Sequence, residues 1–133
     1  MIDHLGIAVK SLAEARKFYE QIGLKVSSEE VVPQEKVKVA MLPIGESRIE
    51  LLEGTEADSV IARFVQKRGE GLHHVAIHVP DLARTVETLK AGGTRFVSDE
   101  IKAGAGGHLY VFVHPSSAGG VLIELVQEAP AGV

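Results

Sequence analysis

Two histidines and two glutamates occupy matched places in this chain, and their side chains are the ones best suited to chemistry. His4 and His74 each lie in a short apolar segment, and Glu50 and Glu124 each interrupt a later one. A lone buried glutamate is costly unless it is paired or binds a metal ion. Imidazole nitrogens and carboxylate oxygens, without thiolates, suit cobalt, manganese, nickel, iron or zinc, and two carboxylates neutralise a dication. The four residues therefore predict a divalent metal site.

An internal repeat supports treating the four residues as one set. Residues 3–9 match residues 73–79, so that His4 and His74 are 70 positions apart, and the match continues into the helix that follows. Glu50 and Glu124 are 74 positions apart, which needs only a short insertion in the second half. Each residue alone is more simply explained by a strand end or a solvent-facing position. Their placement by a repeat favours the metal site, and a six-coordinate ion would keep two positions free of protein.

Each half of the chain is predicted to fold as a βαβββ module, because strand-like and helix-like patterns follow one another in the same order twice. Alternation in the first strand puts Leu5, Ile7 and Val9 on one face and His4 on the other. Turn residues such as Pro33 separate the later strands. The predicted strands are 3–9, 24–32, 36–42 and 47–52, followed by 73–79, 94–98, 108–114 and 120–127.

Three helices are predicted from capping residues and apolar stripes. Ser11 and Glu14 form a capping box at the start of the first helix. Asp58 or Ser59 is expected to cap the second helix, and Asp81 the third. The apolar stripe of the first helix is predicted to comprise Leu12, Ala15, Phe18 and Ile22, and that of the third Leu82, Val86 and Leu89.

The predicted fold class is α+β, with two tandem βαβββ modules forming a cupped mixed β-sheet around the metal site and helices on the outside. Residues 1–133 are predicted to form a single domain, with module one at 1–56, a connector helix at 57–70 and module two at 71–128. With 133 residues, of which 45% are hydrophobic, the chain is large enough to bury one core.

Strand alternation separates the histidines of the fifth strand. His74, Ala76 and His78 share one face, whereas His73 lies on the face expected to meet a helix. His74 is therefore the predicted ligand, and His73 is predicted to be a packed or capping residue. His78 either lines the cup or faces solvent. His108 and His114, on one face of a later strand, are predicted to be structural or exposed.

Two glycine-rich stretches, 104–107 and 116–120, carry two interpretations each. Either they form hairpin turns, or they let a bulky ligand approach backbone amides. Neither supports a nucleotide site, because the first lacks the lysine and hydroxyl of a phosphate loop.

Composition indicates the cellular compartment and argues against some classes of binding partner. The chain has no cysteine, so any metal is held by histidine and carboxylate, which suits a reducing cytosol. Its net charge of −4 argues against a nucleic-acid surface. The N-terminus lacks a secretion signal and no apolar run reaches the roughly 20 residues of a membrane helix. We therefore expect a cytoplasmic protein that binds neither nucleic acid nor membrane.

The paired modules resemble the vicinal oxygen chelate superfamily, also known from glyoxalase and bleomycin resistance proteins. Four local blocks are similar to the methylmalonyl-CoA epimerase family, and they extend over nearly the whole chain. The last block is the most specific, because sister families usually differ there. The blocks are Ile2–Val9, Arg68–His74, Gly104–Gly107 and His114–Leu125.

The resemblance implies a metal site and a reaction. It implies that His4, His74 and Glu124 bind the metal, with Glu50 at the fourth place, where members carry Gln or Glu. Cobalt is an ion often associated with the family and is the expected one here, with manganese, nickel or zinc as alternatives. The implied reaction is an isomerisation of propionate metabolism that interconverts (2R)- and (2S)-methylmalonyl-CoA, an acyl-CoA substrate. A homodimer is expected from the family and from sheet edges that need cover.

The implied mechanism removes the proton α to the thioester and returns it on the other face. The metal would chelate the thioester and carboxylate oxygens and stabilise the enolate. Two acid/base groups, one for each face, are expected. By family analogy Glu124 is one of them. For the second acid/base group, some members carry a glutamate at the position of Val39. The alternatives in this chain are Glu35, Lys38, Glu50, His78 or a water molecule.

Three other functions fit parts of the pattern. Glyoxalase I, a lactoylglutathione lyase, shares the ligand set and the enediolate chemistry, although the block from Pro115 to Leu125 favours the epimerase. An extradiol dioxygenase uses a site of two histidines and one carboxylate, so Glu50 as fourth ligand counts against it. A metal-free small-molecule-binding protein of this fold would have no need to retain all four ligands.

Overall fold

The computed structural model describes residues 1–104 and 107–129, and these fall into two compact units. One unit consists of His4–His73. The other combines residues 1–3 with the described residues from His74 onward. No helix among the described residues is long and apolar enough to cross a membrane.

The first half of the chain has the predicted order βαβββ. Its strands are adjacent in the order β2-β3-β4-β1, with β1 parallel to β4 and the other pairs antiparallel. A short 3-10 turn, Pro33–Glu35, joins β2 to β3. The elements are β1 (Ile2–Ala8), α1 (Leu12–Gln21), β2 (Ser28–Val32), β3 (Val37–Ile44), β4 (Ser47–Gly54) and then the helix α2 (Val60–Arg68).

The second half repeats this order. Its strands are adjacent in the order β5-β8-β7-β6, again with the first and last strands of the module parallel. A second 3-10 turn, Pro115–Ser117, precedes the last strand. The elements are β5 (Gly71–His78), α3 (Leu82–Ala91), β6 (Lys102–Ala103), β7 (Leu109–Val113) and β8 (Ile123–Gln127).

The prediction of a strand at 94–98 is wrong. Phe96 forms a single β-bridge with Val113, and the segment then bends away at 97–100. The two-residue strand β6 occupies the corresponding place in the module instead. A strand needs a continuous ladder with a neighbour, and local propensity does not tell whether a neighbour is available.

The core of the first unit corrects the predicted stripe of α1. Leu12 is fully buried and Tyr19 packs against the same cluster, whereas Phe18 is 60% and Ile22 61% exposed. Tyr19 lies seven residues after Leu12, close to two full turns, so the two share a face that Phe18 does not. In the other unit Leu82, Val86 and Leu89 pack as predicted.

The last strand of each half also caps the helix that follows the first strand. The backbone N–H of Leu12 donates to Glu53 Oε1 at 2.6 Å, and that of Leu82 donates to Gln127 Oε1 at 2.6 Å. The predicted caps are present too, because Ser11 and Asp81 accept from the N–H groups three residues later. Both devices satisfy helical N–H groups that have no partner within the helix.

Gly54, at the end of β4, is expected to tolerate no side chain. A Cβ at this position would lie 2.8 Å from Ala62 Cβ and 2.9 Å from the Ala62 nitrogen, which Ser59 caps. We expect Gly54→Ala to lower the free energy of unfolding by about 1–3 kcal/mol through overpacking. Gly92→Ala is the control, because its nearest contacts are 3.6 and 3.8 Å. Equal urea denaturation midpoints for the two variants would contradict this prediction.

Candidate metal centre

In the first unit, the parallel pairing of β1 and β4 brings His4 next to Glu50. Gly6 lies opposite Glu50 in the ladder, and His4 precedes Gly6 by two residues on the same face of β1. His4 Nε2 is 3.5 Å from Glu50 Oε2. The side chains are 8% and 17% exposed, so this imidazole and carboxylate meet in a poorly hydrated place.

In the other unit, β5 and β8 position His74 and Glu124 in the same way. Ala76 lies opposite Glu124, and His74 precedes it by two residues. His74 Nε2 is 3.4 Å from Glu124 Oε1, and both side chains are at most 10% exposed. The repeat therefore has a structural meaning: each histidine meets the glutamate of its own half through a parallel ladder and a small residue.

The geometry of each pair fits two ligands of one metal ion. Metal–ligand bonds of about 2.0–2.2 Å at angles near 90–110° place neighbouring ligand atoms about 3–3.5 Å apart. The distances of 3.5 Å and 3.4 Å lie at the upper end of this range. Nitrogen and oxygen donors without sulfur select a borderline or hard divalent cation.

His73, the neighbour of His74, is packed against a helix, as predicted. Its ring meets Phe64 of α2 edge to face, with the ring centroids 5.0 Å apart. Burial lowers the pKa of His73 below its ordinary value of 6.5, and the positive charge of Arg68 lowers it further. His73 is thus held neutral by the packing of the first unit.

The lowered pKa of His73 predicts a pH dependence of stability. The unfolded chain binds a proton near pH 6.5 while the folded chain does not, so stability is fully present above that pH and falls as the pH drops. We expect the free energy of unfolding to fall less between pH 7 and pH 5 in His73→Phe than in the wild type. Urea titrations with EDTA present would measure this. Parallel curves for the two proteins would contradict the assignment.

Two aromatic residues beside the second pair escaped sequence analysis. Phe112 lies opposite Glu124 in the β7–β8 ladder, and its ring is 5.8 Å from that of His74, edge to face. Tyr110 precedes Phe112 by two residues on the same strand, with the ring centroids 6.1 Å apart. These rings form an apolar side to the His74–Glu124 pair. The alternation of aromatic residues at 108, 110 and 112 was the available signal.

The remaining histidines have separate roles. His114 caps the second 3-10 turn, where its Nδ1 accepts from the Ser116 N–H at 3.1 Å, which confirms a structural role. His108 lies beside Tyr110, with the ring centroids 5.7 Å apart. His78 lies in a different group, with Glu128 Oε1 3.5 Å from its Nε2.

The described parts of both glycine-rich stretches form turns. Gly104 N–H donates to the carbonyl of His108, which closes the connection from β6 to β7; Ala105 and Gly106 lie outside the described residues. Gly119 and Gly120 have φ of 66° and 90°, a region that favours glycine. Their turn follows the 3-10 segment, and Gly120 N–H donates to the Pro115 carbonyl.

Comparison with known proteins identifies the class. A family model described as Glyoxalase/Bleomycin resistance protein/Dioxygenase superfamily matches residues 3–112. The chain belongs to this superfamily, and the predicted glyoxalase-like fold is confirmed.

Individual relatives narrow the class to one group. Human mitochondrial methylmalonyl-CoA epimerase is 40% identical over 128 residues, which are 95% of this chain and 73% of the human protein. A Streptomyces coelicolor methylmalonyl-CoA epimerase variant, solved with 2-nitronate-propionyl-CoA, has a TM-score of 0.88 at 37% identity, covering 97% of this chain and 94% of the other. A hypothetical protein from Bacillus halodurans C-125 has a TM-score of 0.92 at 42% identity, covering 100% and 97%. The predicted kinship with the methylmalonyl-CoA epimerases is thereby confirmed.

Proposed function

We propose that this enzyme interconverts (2R)- and (2S)-methylmalonyl-CoA by moving the proton α to the thioester. The observation that carries the proposal is the pair of buried His–Glu contacts at equivalent positions of the two halves. A protein that only needed the fold would gain nothing from keeping two imidazole–carboxylate pairs away from water. Kinship with epimerases, one of them solved with an acyl-CoA analogue, supports this substrate class.

The metal of the proposed site would be held by His4, Glu50, His74 and Glu124. The donor set and the spacing within each pair fit a divalent cation, for which we propose Co²⁺, with Mn²⁺, Ni²⁺ or Zn²⁺ as alternatives. When bound, such a cation supplies electrostatic stabilisation of negative charge developing on the substrate oxygens. Neutral imidazoles and ionised carboxylates are the protonation states that bind it.

Glu124 is the proposed acid/base on one face of the substrate. Its side chain is 10% exposed and is positioned both by the β5–β8 ladder and by His74. Phe112 lies opposite it in the β7–β8 ladder, and its ring contacts that of His74. A carboxylate so placed can accept the α-proton from one face of the substrate and, once protonated, can deliver a proton to that face in the reverse reaction.

Glu50 is the proposed acid/base on the other face. It is the counterpart of Glu124 in the repeat and is only 17% exposed. Of the alternatives, Glu35 is exposed and Lys38 Nζ is held by Glu29 at 3.0 Å. His78 faces Glu128. Each half of the chain would then contribute one carboxylate, which removes the α-proton of one enantiomer.

The cellular setting is proposed from the family. We propose that residues 1–133 act as one domain, with modules at 1–56 and 71–128 and the connector helix at 57–70. The enzyme would work in the cytoplasm as a homodimer in propionate metabolism.

The test is incubation of the enzyme with (2R)-methylmalonyl-CoA and Co²⁺ in D2O, followed by proton NMR. We expect the α-proton to be replaced by deuterium while the (2S) isomer accumulates. Absence of exchange would contradict the proposal. Turnover of the hemithioacetal of methylglyoxal and glutathione, with methylmalonyl-CoA unchanged, would assign a glyoxalase I activity instead. Activity that persists unchanged after chelation would exclude the metal role.

A further inference from the structure

A second group of metal-binding side chains lies apart from the four proposed ligands. Asp3, His78 and Glu128 each offer one nitrogen or oxygen atom, and these three atoms lie within 4.8 Å of one another. All three residues belong to the same compact unit. None of them is needed for the proposed reaction, so the group calls for its own explanation.

The backbone brings these residues together at strand ends. His78 is the last residue of β5, and its N–H donates to the carbonyl of Met1 at 2.9 Å, two residues before Asp3 of β1. Glu128 directly follows β8, whose Val126 is the ladder partner of His78. The ladder therefore positions one side chain from each of three chain segments, far apart in sequence, around a common point.

The ring of His78 is the observation that points to an occupant. Its Nε2 has no contact with solvent and no hydrogen-bond partner among the described residues. Glu128 Oε1 is 3.5 Å from this nitrogen, at the upper limit of hydrogen-bond distance. Buried polar atoms are rarely left without a partner, because removing such an atom from water costs free energy that only a new partner offsets.

A cation bound at this point would give the His78 nitrogen a partner. Two carboxylates balance the charge of a dication, and one imidazole with carboxylate oxygens suits Zn²⁺, Co²⁺ or Mn²⁺. Glu128 is 73% exposed and His78 is 22% exposed, so an ion can enter from solvent on the Glu128 side and complete its coordination with water. A hydrogen-bonded ion pair with protonated His78 is the simpler alternative, but it needs a better aligned Nε2.

We propose that Asp3, His78 and Glu128 form a second divalent cation site. The ion would hold the start of β1 and the end of β8 against the end of β5. Its role would be structural, because it would tie together residues near the start of β1 and at the ends of β5 and β8.

Equilibrium dialysis against Zn²⁺, with metal measured per chain, tests the proposal. We expect two ions per chain in the wild type and one in Glu128→Gln and in His78→Gln, whose affinity for the second ion should fall more than about 100-fold. Glu87→Gln, exposed on α3, is the matched control and should keep both ions. Because Glu128 is exposed, its variant is expected to fold.

Two further measurements separate this site from the proposed catalytic one. His74→Ala should lose the other ion and keep the one at His78, and Zn²⁺ should still raise its melting temperature. Glu128→Gln should retain epimerisation of methylmalonyl-CoA with Co²⁺. If Glu128→Gln and His78→Gln both bind as many ions as the wild type, or if the wild type binds only the ion lost in His74→Ala, the second site does not exist.

Discussion

Glu124→Gln is expected to lower the rate of methylmalonyl-CoA epimerisation by about 10³- to 10⁴-fold. General acid–base catalysis alone contributes about 10²- to 10⁴-fold, and this residue is also a proposed metal ligand. Glutamine keeps the size of the side chain but cannot accept the α-proton. The measurement is the rate of isomer interconversion at saturating Co²⁺, with circular dichroism as the check of folding.

Glu50→Gln gives the matched comparison, because Glu50 is the proposed acid/base on the opposite face. Each variant should still exchange the α-proton of one isomer with D2O while losing exchange of the other. Glu87→Gln should behave as the wild type, since its side chain is on the surface of α3. If Glu124→Gln and Glu50→Gln both kept full exchange with both isomers, the assignment of one carboxylate per face would be wrong.

His74→Ala is expected to weaken metal binding at the proposed catalytic site by more than about 100-fold and to abolish activity at micromolar Co²⁺. Loss of an outer-shell partner already costs about 10- to 100-fold, and loss of a ligand costs more. The buried Glu124 would be left without its imidazole neighbour at 3.4 Å. Dialysis with Co²⁺ and activity assays at increasing Co²⁺ concentration measure both effects.

The adjacent histidine provides the control for this experiment. His73 faces Phe64 of α2, so His73→Phe should keep an aromatic contact and should retain the metal and the activity. A result in which both variants lose metal equally would mean that the strand itself, and not the His74 ring, is required. Full metal content in His74→Ala would remove this residue from the site.

The caps and the module order were predictable because they are local properties. Ser11, Ser59 and Asp81 accept hydrogen bonds from the first turns of α1, α2 and α3, as their side chains and positions predicted. The βαβββ order of each half was predicted from strand-like and helix-like patterns that follow one another along the chain. Such features depend on a few neighbouring residues, which the sequence shows directly.

Features that depend on contacts between distant segments of the chain were predicted less well. The segment 94–98 has strand-like residues, yet only Phe96 forms a bridge, with Val113 of β7, and β6 pairs with the opposite end of β7. Phe18 was assigned to the core and is exposed, since Tyr19 and not Phe18 shares the buried helix face of Leu12. The contact of Phe112 with His74 needed the register of β7 against β8.

The sequence by itself determined which residues could carry the chemistry. The repeat selects His4, Glu50, His74 and Glu124, because two equivalent folds place equivalent residues in equivalent environments. Only the tertiary structure decided how each histidine meets its glutamate. A parallel ladder brings together two residues that are roughly fifty positions apart in the chain. It also brought Asp3, His78 and Glu128 together, a group that no spacing indicates. Distances between strand ends are decided by ladder register, which is a property of the whole sheet and of no single segment.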